Sequence, residues 1–231
     1  MSQYQRTMGK DVDLKAEQKK TMETPVMSAN PILRMMYVTM DILYGKAPTL
    51  PKFRVIEILA RYPYWAWEHG GYSRITSAHC RGDFAKKDVV ERALRHIEMG
   101  RTDQDNEQWH LMLIEDIMRQ KGIKQGWFRR ALLPQLMAIS YLGLSEAIYQ
   151  LRPTLFFSMN ARFESHAEHE YAKLVEAYPE WEDEPVETDV FEHYPRQTTL
   201  ANLFRRIGLD ERDHMNESRE EYERLTGKEL H

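Results

Sequence analysis

Two glutamate–histidine pairs with three-residue spacing, Glu107-Gln-Trp-His110 and Glu211-Arg-Asp-His214, constrain the fold of this chain more than any other feature. Each pair follows a lone glutamate set among apolar and aromatic residues. Glu57 lies in FRVIEILARYPYW, 50 residues before Glu107, and Glu164 lies in FFSMNARFESHAEHEY, 47 residues before Glu211. The chain therefore reads Glu, ExxH, Glu, ExxH. Residues three apart share a helix face, so the members of one pair can meet at a point if the segment is helical. Helical periodicity dominates elsewhere too, with little strict alternation of β-branched residues to support strands. The expected helical blocks are 31–44, 52–70, 84–120, 126–150, 153–178, 198–208 and 209–227. They are broken at Gly45-Lys46-Ala47-Pro48, Gly70-Gly71, Gly122 and Pro153. Residues 1–30 read as a polar N-terminal arm, either mobile or forming a short docking helix. Residues 31–231 read as one helical-bundle domain. Within it, the acidic stretch 178–195, with three prolines, reads as an exposed connection.

Two ExxH helices and one glutamate from each of two others supply six ligands inside a bundle. This is the ligand pattern of di-iron and di-manganese carboxylate sites. Four carboxylates balance two divalent cations, which makes their burial tolerable. The expected fold is thus all-α: a ferritin-like four-helix bundle around a di-metal carboxylate centre, with extra short helices. The expected metal ligands are Glu57, Glu107, His110, Glu164, Glu211 and His214.

Composition narrows the function classes. Hydrophobic residues make up 42% of 231, enough for a substantial core, and 36 acids against 32 bases leave no basic excess for nucleic acid. Mean hydropathy is −0.65. The longest apolar stretch without charge, 131–145, is 15 residues, short of the roughly 20 that span a bilayer. The N-terminus carries no apolar signal region. Cys80, the single cysteine, excludes an internal disulfide and fits a reducing compartment. The expected location is cytoplasmic, on the inner face of a membrane where one is involved.

Other acids and histidines lack the ligand spacing. Glu115 lies eight residues after Glu107 and reads as a partner of the ligands or a stray acid, and Glu146 also sits in apolar helical sequence. Glu68, His69, His79, His96 and His193 are expected to be solvated or to cap helices. His166 and His169 lie near Glu164, but His166, two residues on, points off its face.

Asp105-Asn106-Glu107-Gln108-Trp109-His110-Leu111 is similar to the NExxHL motif of the alternative oxidases and plastid terminal oxidases. Asp41-Ile42-Leu43-Tyr44 with Val55-Ile56-Glu57-Ile58-Leu59-Ala60-Arg61-Tyr62-Pro63-Tyr64 resembles DxLY…VLExxARxPY. Phe163-Glu164-Ser165-His166-Ala167 through Tyr171 resembles the VESHAxxxY helix, and Asp210-Glu211-Arg212-Asp213-His214 resembles the closing DExxH. The segments keep the family's order over about residues 36–216. The resemblance implies a non-haem di-iron quinol oxidase that oxidises ubiquinol or plastoquinol and reduces O₂ to water; the sequence leaves manganese open as a substitute metal. It implies that Tyr171 lies beside the metal centre as a radical or hydrogen donor. Asn106 and Asp210 would orient the ligands, and Lys52, Arg54 and Ala167 would lie on the substrate side. It also implies a homodimer held on one membrane leaflet by apolar helix faces.

The chain departs from that pattern. Lys52 stands where the family has an arginine five residues before the first ligand, and Gly208 replaces an arginine three residues before the last glutamate. Phe191-Glu192, with Tyr194 close by, falls where an aromatic pair is expected. Arg129, Arg130 and Glu146 interrupt the apolar block 127–151. These departures leave open a soluble di-iron oxygenase or N-oxygenase acting on a small molecule, and an iron-storage bundle using the same ligands.

Overall fold

A computed structural model describes residue 4, residues 6–82 and residues 87–230. Seven α-helices account for most of them: α1 (Leu14–Glu23), α2 (Pro31–Tyr44), α3 (Leu50–Cys80), α4 (Lys87–Gln120), α5 (Leu133–Leu151), α6 (Pro153–Ala177) and α7 (Leu200–Thr226). No strand occurs among the described residues; the one isolated β-bridge joins Pro185 and Thr199. The fold is all-α. The chain divides into two compact units, residues 54–156 and residues 1–53 with 157–231.

In the unit of residues 54–156, α3 and α4 run antiparallel with their backbones in close approach. A Cβ on Gly100 would lie 2.6 Å from the Tyr64 carbonyl oxygen, and one on Gly71 would lie 2.9 Å from that of Ala93. From Gly71–Ala93 to Tyr64–Gly100 the contact steps seven residues along each helix, two turns. One further step of seven arrives at Glu57 and Glu107. Only glycine lets the helices approach this closely. The expected break at Gly70-Gly71 is therefore absent, and α3 continues to Cys80. Gly70 serves the same end: its absent Cβ leaves room for the Tyr149 ring, which would otherwise lie 2.3 Å away. Tyr149 is fully buried, with Arg74 over its ring at 4.5 Å and its hydroxyl 2.6 Å from His96 Nδ1. His96 is thus a core residue and not the solvated or capping histidine expected.

A π-turn over Phe128–Leu132 leads into α5. Pro134 has no N–H to give to the Arg130 carbonyl four residues earlier. Arg54 Nη1 supplies a donor instead, at 3.1 Å. From Phe128 to Leu151 the chain forms one helix that is long and apolar enough to cross a membrane by length and composition, and most of it is exposed. Trp127 and Ile139 are each 70% exposed and Leu136 is 54% exposed.

In the other unit, α7 replaces two expected helices with one of 27 residues, capped by Thr199 and ended by Gly227 at φ 69°. Gly208, the expected boundary, lies inside it. A Cβ there would be 3.1 Å from Tyr171 Cβ on α6, so glycine again marks close helix packing and not a stop. The N-terminal segment docks on α6 and α7. Asp213 accepts from the Thr7 and Met8 backbone N–H groups, the Thr21 hydroxyl donates to Glu168 Oε1 at 2.6 Å, and Arg212 bridges Glu168 to Glu17 on α1. The acidic stretch 178–195 forms two 3₁₀ turns and is not simply exposed: Trp181, Val186, Val190 and Tyr194 are buried. Trp181 stacks on Tyr178 and Phe204, and that apolar burial overrides the charge of its neighbours.

Candidate metal centre

The six expected ligand residues form a buried triad in each unit. In the first, Glu57 on α3 meets Glu107 and His110 on α4. His110 Nδ1 lies 3.5 Å from Glu57 Oε2 and 3.5 Å from Glu107 Oε2. In the second, Glu164 on α6 meets Glu211 and His214 on α7, with His214 Nδ1 3.4 Å from Glu211 Oε2. Within each triad one oxygen or nitrogen per residue lies within 4.8 Å of the others. None of the six side chains is more than 2% exposed. Helical spacing explains the convergence: the i,i+3 pair turns both side chains to one face, and the partner helix brings a glutamate to the same level.

Charge decides what such a triad is for. Carboxylates crowded away from water repel one another and lose hydration, at a cost of several kcal/mol per ion. Glu57 registers this: burial first, and then the neighbouring Glu107, push its carboxyl up to about 8 although His110 pulls it down. A divalent cation removes both penalties, and two carboxylates with an imidazole are a donor set that suits iron. The residues present therefore fit a metal in each triad.

A pH dependence follows for the metal-free chain. The folded state keeps a proton on Glu57 up to about pH 8, whereas an unfolded glutamate loses it near pH 4.5. Between those values the folded state binds more protons. The stability this group supplies is full below pH 4.5 and is lost as pH rises through about 8. Chelated protein is expected to resist denaturant better at pH 5 than at pH 8, and Glu57→Gln to flatten that slope. An unchanged slope in the variant would assign the dependence to other groups.

The remaining expected site residues fall as follows. Tyr171 is fully buried on α6, seven residues after Glu164, and packs between Phe53 and Phe204 at ring distances of 4.5 and 6.2 Å. Asp210, next to Glu211, accepts from the Tyr194 hydroxyl at 2.6 Å and from Arg206 at 2.7 Å. Asn106 is half-buried beside Glu107. Lys52 pairs with Asp41 at 2.8 Å, Arg54 pairs with Glu115, and Ala167 is buried. His166 stacks on Tyr37 at 4.0 Å, and His169 bonds the carbonyls of Ser165 and Thr24. Neither belongs to a triad. Sequence reasoning missed Arg206, although its position four residues before Asp210 is the helical ion-pair spacing.

Helix pairs that each deliver a glutamate and a Glu-x-x-His to a buried triad define a carboxylate-type metalloprotein of helical fold. A model of the alternative oxidase family matches residues 5–220, and the chain belongs to that family. The family has a ferritin-like helical fold, and its members are non-haem di-iron oxidoreductases that act on quinol and O₂. Nothing supports manganese in place of iron. No curated protein and no solved structure matches the chain.

Proposed function

We propose that this chain is a quinol:O₂ oxidoreductase that oxidises ubiquinol or plastoquinol and reduces O₂ to water. The observation that carries the reading is the pair of buried Glu/ExxH triads in a chain that matches the family over residues 5–220. Glu57, Glu107, His110, Glu164, Glu211 and His214 would hold the two irons. When bound, the iron pair supplies the electron transfer from quinol to O₂. The chain's own groups do the rest. Carboxylates offset the metal charge, and burial keeps water from the centre. Asp210, clamped by Tyr194 and Arg206, fixes the start of the Glu211–His214 turn, and Asn106 would orient Glu107 from the adjacent position in sequence. Tyr171 offers a buried phenol as hydrogen donor. On the substrate side, Lys52 and Arg54 are held by Asp41 and Glu115, with Ala167 small enough to leave room.

The exposed apolar residues of α5 would lay this helix on one leaflet, where a quinol tail resides. A homodimer on the membrane's inner face is part of the same reading. The test is oxygen uptake by iron-loaded protein. A short-chain quinol should support uptake in solution, and vesicles should raise the rate with a long-chain quinol. Tyr171→Phe should keep its iron and lose roughly 100-fold in rate, the scale of a lost proton-transfer group. Uptake no greater than that of the chelated control would sink the proposal.

A further inference from the structure

A cavity of about 450 Å³ lies among α3, α4 and the start of α5, and neither triad uses the groups that line it. Its size falls in the usual range for small-ligand sites, about 300–1,000 Å³. Three guanidiniums, of Arg54, Arg61 and Arg130, and one carboxylate, of Glu115, line it together with apolar side chains. Arg54 is already committed to Glu115 and the Arg130 carbonyl. Arg61 gives Nη1 to Gln108 Oε1, while its Nε is buried with no hydrogen-bond partner among the described residues. The Arg130 side chain is exposed and pairs with no carboxylate among the described residues. Two cationic groups on the cavity are thus uncompensated, and one points a buried donor at nothing. Buried donors ordinarily find acceptors.

The rest of the wall is hydrocarbon. Ile58, Leu111, Pro134 and Ala138 line the interior, and Ile139 carries the lining out to the exposed apolar face of α5. A neutral quinol head would leave both surplus charges uncompensated. An anionic head would satisfy them, and an attached alkyl chain would follow the apolar wall outward.

We propose that this cavity binds an anionic amphiphile, its phosphate or carboxylate between Arg61 and Arg130 and its chain along Ala138 and Ile139. The arginine fork suits either head group. The ligand is a free single-chain amphiphile or the head of an anionic bilayer lipid, sources that share this chemistry.

The experiment titrates iron-loaded protein with dodecyl phosphate below its micelle concentration, by calorimetry, beside the uncharged dodecyl maltoside. One dodecyl phosphate per chain is expected to bind, and Arg130→Glu, a change at an exposed side chain, to weaken it by about tenfold or more. Arg61→Gln should weaken it as well. A parallel arm measures binding to phosphatidylglycerol vesicles. A defect of Arg130→Glu on vesicles as well identifies a bilayer lipid, whereas a defect with dodecyl phosphate alone identifies a free amphiphile. Equal binding of dodecyl maltoside, or wild-type binding by Arg130→Glu, overturns the proposal. The readout is binding, so either result leaves quinol oxidation to be judged by oxygen uptake.

Discussion

Glu107→Ala is expected to leave the purified protein with background iron and with oxygen uptake indistinguishable from the chelated control. Loss of a group that merely orients a ligand costs about 10–100-fold in metal affinity. Glu107 is itself a proposed donor, fully buried and 3.5 Å from His110, so the loss should exceed that range. Iron analysis on the variant decides the point. The control is Glu115→Ala on the same helix. Glu115 is partly exposed and pairs with Arg54, so its loss should spare the iron. Equal iron loss in both variants would show that α4 tolerates no lost carboxylate and would remove the case for a specific ligand.

The second large effect is one of packing. Gly100→Ala should lower the unfolding free energy by about 1–3 kcal/mol, the usual cost of forcing atoms into a packed core. By helix propensity alone the same change would gain about 1 kcal/mol. Packing should win, because the added Cβ would lie 2.6 Å from a carbonyl oxygen of α3, a backbone atom that cannot swing aside. Gly143→Ala on α5 provides the contrast, since nothing lies within 4 Å of its Cβ position and only the propensity gain remains. Denaturant melts of the two variants should shift in opposite directions. Parting α3 from α4 should also pull Glu57 from Glu107, so Gly100→Ala is expected to lose iron in proportion to its instability. A Gly100→Ala protein as stable as the parent would refute the close-approach account.

The proposed ligand set was legible because the chemistry of such a centre imposes a spacing. Glu and His must share a helix face, and that demand is written locally in Glu107–His110 and Glu211–His214. Lone glutamates in apolar sequence completed the set. What the sequence hid is non-local. Gly70, Gly71 and Gly208 look like helix breakers, and only the neighbouring helix reveals why each is small. His96 gives no sign that its partner Tyr149 lies 53 residues away. The acidic stretch 178–195 looked solvated because charge dominates its composition, yet one tryptophan stack holds it down. The N-terminal arm looked polar, and its polar groups are what dock it: Thr7 and Met8 donate backbone N–H groups to Asp213.

The seven-residue stride linking Gly71–Ala93, Tyr64–Gly100 and Glu57–Glu107 bears on how such a chain can drift. Inserting one residue between Glu57 and Tyr64 would rotate everything beyond it by about 100°. The glycines would then be out of phase with the carboxylates they serve. Substitutions can accumulate along the outer faces of α3 and α4, but length cannot change within 57–71 or 93–107. Gains and losses of residues are confined to the connections, such as 121–127, and lineages of this protein should differ in their loops while keeping these intervals fixed.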